Sequence, residues 1–161
     1  SDEDWAAVLQ VNLMSRVFCS EAVADHMIKR GFGKIVNIAS IGGIQGSPTL
    51  THYCVSKAAD INYTQGLALK LGPHGINVNA ILPGLLMTEM MSGIYEIGRV
   101  RGDTPEGTED AELYSKAVSR VPLARGQTPE DIGDLVVFLC SDRARNIHAQ
   151  SINVDGGYRV H

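Results

Sequence analysis

The chain has 161 residues, 44% of them hydrophobic, and 14 Lys and Arg against 18 Asp and Glu give a formal net charge of −4. That length suits one domain with a real core, burying roughly two thirds of the surface its unfolded chain exposes, and the mildly acidic balance offers no basic patch, so nucleic acid is not an expected partner. No apolar run approaches the roughly 20 residues of a membrane helix, and no basic segment with a cleavable apolar stretch opens the chain, so a cytoplasmic protein with no membrane partner is expected.

The first element is a long helix. Ser1 to Asp4 offers an N-cap and first-turn acids, Trp5, Val8, Leu9, Leu13 and Val17 recur at helical spacing, and Gly31 supplies a stop after about Lys29. The polar Asn12 interrupts that stripe. Next, the β-branched run Ile35 to Ile38 suits a strand buried on both faces, with Ser40 at its C-terminal mouth. A Gly-rich, Pro-containing connection leads to a helix from about His52 to Leu71, ended by Gly72 and Pro73, with Ala58, Ala59, Ile61, Leu67, Ala68 and Leu71 as packing positions. Ile76 to Ile81 reads as a second strand and runs into the Pro83-Gly84 turn. From Leu85 to about Arg125 no regular sheet is expected; the methionines Met87, Met90 and Met91 suit either a substrate lid or a surface helical hairpin. Thr128-Pro129-Glu130-Asp131 opens a last helix that ends near Asp142. Ser151 to Val154 is the final strand. The three strands are expected to be parallel, because crossover helices separate each pair. Cys19, Cys54 and Cys140 are widely spaced with no metal-ligand pattern, so reduced thiols and no metal site are expected.

The chemistry concentrates between Gly33 and Lys57. Tyr53 and Lys57 are four residues apart on one helix and share a face. A lysine ammonium within about 4 to 6 Å favours a phenolate over a phenol, so Lys57 is expected to lower the pKa of Tyr53 and make it a usable acid or base. Ser40 at the strand mouth could hydrogen-bond a carbonyl or alcohol oxygen and fix it for proton transfer. Taken alone, a Tyr-x-x-x-Lys pair is an ordinary helix-face pair. The serine 13 positions upstream of the tyrosine sets this one apart.

This pattern of a strand ending in Ser, followed by Tyr and Lys at these separations, resembles the short-chain dehydrogenase/reductase family. The resemblance implies that Ser40, Tyr53 and Lys57 are the catalytic serine, tyrosine and lysine, with Tyr53 and Lys57 also lining the cofactor site, and that Asn12 within Val11-Asn12-Leu13 is the helical asparagine that holds a water near the lysine. It further implies that Pro83, Gly84, the Leu86 backbone and Thr88 surround a nicotinamide. The implied fold is α/β, a partial doubly wound Rossmann-like parallel sheet in a three-layer α/β/α arrangement, and the implied activity is NAD- or NADP-dependent interconversion of a small-molecule alcohol and ketone. A homo-oligomer, dimer or tetramer, is implied through the first two long helices. One departure is visible: His148-Ala149-Gln150 stands where the family has Thr-Gly-Gln, which puts the tightness of that turn in question.

The resemblance spans essentially the whole chain but only the family's C-terminal half. The Gly-rich first turn of a dinucleotide-binding unit is not found, and Gly31-Phe32-Gly33 cannot replace it because it follows a helix and precedes a strand. Residues 1–161 are therefore expected to be the C-terminal portion of such an enzyme. The alternative is a non-catalytic truncated paralogue or interaction subunit that binds no cofactor. In either case, without the family's first half the Ile35-Val36-Asn37-Ile38 strand is expected to have a free edge with no Pro or inward charge. Purified as residues 1–161, the chain is expected to bind NADH and NADPH weakly or not at all and to be aggregation-prone or dependent on a partner; a monodisperse monomer with micromolar affinity for either would contradict this.

Overall fold

The computed structural model describes residues 1–105 and 107–160. Among them the sheet has three strands, β1 (Gly33–Ile38), β2 (Ile76–Pro83) and β3 (Ser151–Val154), in the order β1-β2-β3. Both pairs are parallel, with Gly33 opposite Ile76 and Ala80 opposite Ser151, as the crossover argument requires. Helices α1 (Asp2–Leu9), α2 (Ser15–Arg30), α3 (Thr51–Leu71), α4 (Glu89–Val100), α5 (Asp110–Val118) and α6 (Pro129–Cys140) complete the elements of the α/β fold. None of the described helices is long and apolar enough to cross a membrane.

The layers follow from the period-2 alternation of β2. Ile76 and Val78 turn to α2 and α3, where they pack with Ala24, Leu67, Ala68 and Leu71. Ile81 turns the other way, into a cluster with Ile132 and Leu139 of α6. Two asparagines on that second face are satisfied by the chain between α6 and β3. Asn77 donates to the Arg145 and Ile147 carbonyls, and Asn79 donates to the Ile147 carbonyl while accepting from the Gln150 amide.

Several expectations need correction. The first helix is not continuous: a π-helical turn, Gln10–Met14, separates α1 from α2, and Asn12 lies in its middle. Strand β1 is not buried on both faces, since Ile35, Val36 and Ile38 are only half-buried, because β1 lies at the edge of the described sheet. Ala58 is exposed and Ala59 half-buried, so the packing face of α3 is carried by Leu67, Ala68 and Leu71 with the buried polar residues Ser56, Asp60 and Thr64. α3 does end at Leu71, yet the left-handed residue is Gly75 at φ 74°, after one 3-10 turn. Between Leu85 and Arg125 the expected absence of sheet holds, with α4 and α5 tied by Arg99, which bonds Glu96, Asp110 and the Thr108 carbonyl.

The queried turn holds by different means. Ala149 sits at φ 58°, a left-handed conformation that disfavours a Cβ. It is kept there by its own amide on the Val78 carbonyl and by His148, whose ring meets the Val78 amide at 3.2 Å and the Ala68 carbonyl at 3.0 Å. Ala149→Gly should therefore stabilise the fold by about 0.5–1 kcal/mol, read as a higher midpoint in chemical denaturation. Gly43 is the reverse case, because a Cβ there would stand 2.6 Å from the Lys57 carbonyl oxygen of α3. Gly43→Ala should cost about 1–3 kcal/mol by the same measurement.

Candidate active site

Three elements end at one mouth. β1 ends at Ile38, and Ser40 follows in extended conformation, its hydroxyl accepting from the Gly42 amide at 3.0 Å and so opening the 3-10 turn Ile41–Gly43. α3 runs back past that turn with Tyr53 and Lys57 one helical turn apart on its inner face. β2 ends in Pro83, and Gly84 carries the chain across the neighbouring strand mouth. In parallel sheets, ligand sites lie beyond the C-terminal strand ends. Here a cavity of about 550 Å³ lies there, lined by Ser40, Tyr53, Lys57, Pro83, Gly84, Leu86 and Thr88 among others.

Within this mouth the side chains are tightly specified. Ser40 faces the phenol of Tyr53 closely enough to draw its pKa down. Gly42 lies between them; a Cβ there would stand 3.2 Å from the Tyr53 ring and 3.3 Å from the Ser40 hydroxyl. The Lys57 ammonium lies 5.9 Å from the centre of the Tyr53 ring. It donates to the Ile38 carbonyl at 3.1 Å and to Asp60 at 3.3 Å. A lysine ammonium has three donors, so one remains for a ligand hydroxyl in the cavity.

The electrostatics differ from the sequence argument. The Tyr53 phenol is held above its ordinary pKa, chiefly because burial penalises the phenolate; Ser40 opposes this, Cys54 and Asp60 add to it, and Arg16 works against it. The lowering expected from Lys57 is outweighed by burial. The ammonium itself is engaged by the Ile38 carbonyl and by the Asp60 carboxylate. Burial in turn pushes the Lys57 pKa down, with Asp60 opposing and Arg16 reinforcing.

Asn12 stands outside the cavity lining. Its amide donates to the Ser56 hydroxyl at 2.9 Å, and that hydroxyl donates to the Tyr53 carbonyl at 2.7 Å, so Asn12 is linked to the Tyr53 backbone through one side chain. Thr88 lines the cavity and also caps α4 through the Met91 amide. Leu86 packs against the α6 cluster and also lines the cavity. Sequence reasoning missed Arg16, Asp60 and Arg159, of which Arg16 and Arg159 line the cavity. A signal for two of them was available: Asp60 is a charge on the buried face of α3, three residues past Lys57, and Arg16 is one turn past Asn12.

Known proteins resemble this chain in sequence and in fold. Residues 1–159 match the protein-family model described as Enoyl-(Acyl carrier protein) reductase. The chain is 42% identical over 158 residues to galactitol 2-dehydrogenase of Agrobacterium fabrum, covering 98% of this chain and 60% of that protein. It is 36% identical over 156 residues to the 3-oxoacyl-[acyl-carrier-protein] reductase FabG of Thermotoga maritima, covering 97% and 57%. Among solved structures, sorbitol-6-phosphate 2-dehydrogenase SrlD from Erwinia amylovora superposes with a TM-score of 0.87 at 33% identity, covering 99% of this chain and 61% of that one. NAD+-bound xylitol dehydrogenase superposes with a TM-score of 0.86 at 30% identity, covering 98% and 61%. The chain thus spans about three fifths of the length of these proteins. With the strand-end serine, the tyrosine and lysine of α3 and the family match all falling on one sequence, the chain belongs to the short-chain dehydrogenase/reductase family.

Proposed function

We propose that residues 1–161 form the catalytic C-terminal portion of an NAD- or NADP-dependent oxidoreductase that interconverts a small-molecule alcohol and the corresponding carbonyl compound. The observation that carries this reading is the convergence of Ser40, Tyr53 and Lys57 on one cavity at the ends of two parallel strands. The spare Lys57 donor, facing the cavity beside the Pro83-Gly84 turn, fits a nicotinamide ribose hydroxyl, and the Leu86 backbone and Thr88 would border the ring. A bound nicotinamide supplies or accepts the hydride.

The chain's own residues do the rest. Ser40 holds the substrate oxygen by a hydrogen bond and orients it toward Tyr53. Tyr53 gives the proton to that oxygen in reduction and takes it in oxidation. A phenol whose pKa is raised by burial gives up its proton less readily than a free one, and Ser40 and Arg16 oppose that rise. Lys57, fixed on the Ile38 carbonyl, holds its position independently of ligand. Asn12 supports α3 from the π-helical turn, through Ser56, and a water held there would connect the lysine to solvent. Met90, Met91 and Ile94 of α4 line the cavity with apolar side chains, an environment that would favour a shielded proton transfer once ligands fill it.

Relatives named for sugar alcohols, a sugar-alcohol phosphate and an acyl-carrier-protein-bound substrate share the family, and the apolar roof of α4 is the feature that would choose among such substrates. Self-association is supported by the exposed Val11 and Phe18 of the first helical segments and Val55 and Leu69 of α3. A cytoplasmic setting agrees with three unpaired cysteines.

Tyr53→Phe in the intact protein should lower kcat by roughly 10²–10⁴-fold, the span of general acid–base catalysis, while the dissociation constant for NADH or NADPH changes little. Steady-state kinetics with fluorescence titration of the cofactor measures both, and retained turnover would reject the proton-transfer role.

A further inference from the structure

Beside the catalytic pair lies a cluster that the reaction as described does not use. Asp60 is fully buried on α3, three residues past Lys57. Its Oδ2 meets Lys57 Nζ at 3.3 Å and Arg16 Nε at 3.6 Å, while its Oδ1 has no partner. Arg16 arrives from α2 across the end of β1, donating to the Ser15 hydroxyl at 3.0 Å and to the Ile38 carbonyl at 3.2 Å. The Ile38 carbonyl also accepts from Lys57. Two cations therefore share one carboxylate and one carbonyl.

That sharing has a physical logic. A buried carboxylate is costly unless it is paired; burial pushes the Asp60 carboxyl above the usual carboxylate range, and Lys57 and Arg16 both oppose that rise. With Asp60 but without Arg16, the ammonium of Lys57 would be cancelled by its neighbour. With Arg16 but without Asp60, two cations would crowd one carbonyl and repel. Together the three side chains carry one net positive charge, as a lone lysine would, and the carboxylate adds an anchor.

We propose that Arg16 and Asp60 are positioning residues of the active site, the carboxylate anchoring the Lys57 ammonium at the end of β1 and the guanidinium keeping that carboxylate from cancelling the lysine's charge. This rests on the reading of Tyr53 as the proton-transfer group. Its consequence is electrostatic control of the phenol: Arg16 draws the Tyr53 ionisation down and Asp60 pushes it up. The other titratable or charged groups about the phenol are Cys54 and Lys57 on α3 and Arg159 of the C-terminal tail, which lines the same cavity; His52 is turned to Trp5 of α1, with ring centroids 6.1 Å apart. The part of α4 that lines the cavity, Met90, Met91 and Ile94, brings no charge.

The test is the titration of Tyr53 itself, followed in the intact protein as the near-ultraviolet phenolate signal that each variant loses on addition of Tyr53→Phe. Arg16→Met should move the Tyr53 midpoint to higher pH, Asp60→Asn should move it to lower pH, and the double variant should return it toward the starting value. The pH profile of kcat should shift in the same order. Midpoints that stay put, or that move in the same direction in both single variants, would overturn the proposal. If Arg16→Met fails to fold, Arg16→Lys keeps the charge and should leave the midpoint near its starting value, and Asp60→Asn alone decides the sign. The two readings fail separately: retained turnover in Tyr53→Phe removes the catalytic role of the tyrosine whatever the titrations show, whereas lost turnover with immobile midpoints removes only the Arg16–Asp60 pair.

Discussion

The Lys57 ammonium on the Ile38 carbonyl is the contact on which the site depends. It joins the last residue of β1 to the inner face of α3, through a carbonyl that also accepts from Arg16. Burying an ammonium is costly unless its donors are used, so the register of α3 against β1 is held wherever that cost must be met. A second buried link lies further along the helix, where Asn37 donates to the Thr64 hydroxyl at 2.9 Å and that hydroxyl donates to the Asp60 carbonyl. With two such ties about two turns apart, α3 can neither slide nor rotate, and Tyr53 is carried to the position facing Ser40.

The same strategy appears on the opposite face of the sheet. Asn77 and Asn79 of β2 hold the loop before β3 through its carbonyls and one amide, so β3 enters the sheet in fixed register opposite Ala80 to Pro83. His148 then ties this loop to the carbonyl of Ala68 on α3 and to the amide of Val78. Polar side chains on a buried strand thus do the work of fixing irregular backbone, while the aliphatic positions between them supply the core. The left-handed backbone of Ala149 persists because these neighbours over-determine it.

The roof of the cavity is held differently. α4 presents methionines and an isoleucine to the mouth, and its tie to α5 runs through the partly exposed Arg99. The Tyr114 hydroxyl donates to the Leu85 carbonyl at 2.9 Å, anchoring α5 to the exit of β2. None of the residues from Glu89 to Val118 in α4 and α5 is buried in the way β2 is. A segment with few buried contacts opens more easily than the sheet beneath it, which suits a cover over a substrate cavity.

Local chemistry was legible in the sequence. The strands, the helices of residues 51–71 and 129–140, the cap at Thr128 with Pro129 and the stop at Gly31 follow from short-range rules of periodicity, capping and turn residues, which act within a few positions of the chain, whereas Ser40, Tyr53 and Lys57 stood out as a set through their resemblance to the family's pattern. Tertiary structure decided what depends on distance through space. That β1 lies at an edge and is half-buried depends on which strands surround it. The first helix breaks into a π turn at Asn12, whose amide meets Ser56, 44 residues away in the chain. Above all, the pairing of Tyr53 with Lys57 was visible from their spacing, but the field at the phenol was not, because it is set by burial and by Arg16 on another helix acting against Asp60. Helical periodicity says which side chains share a face; only the packed fold says which charges meet across it.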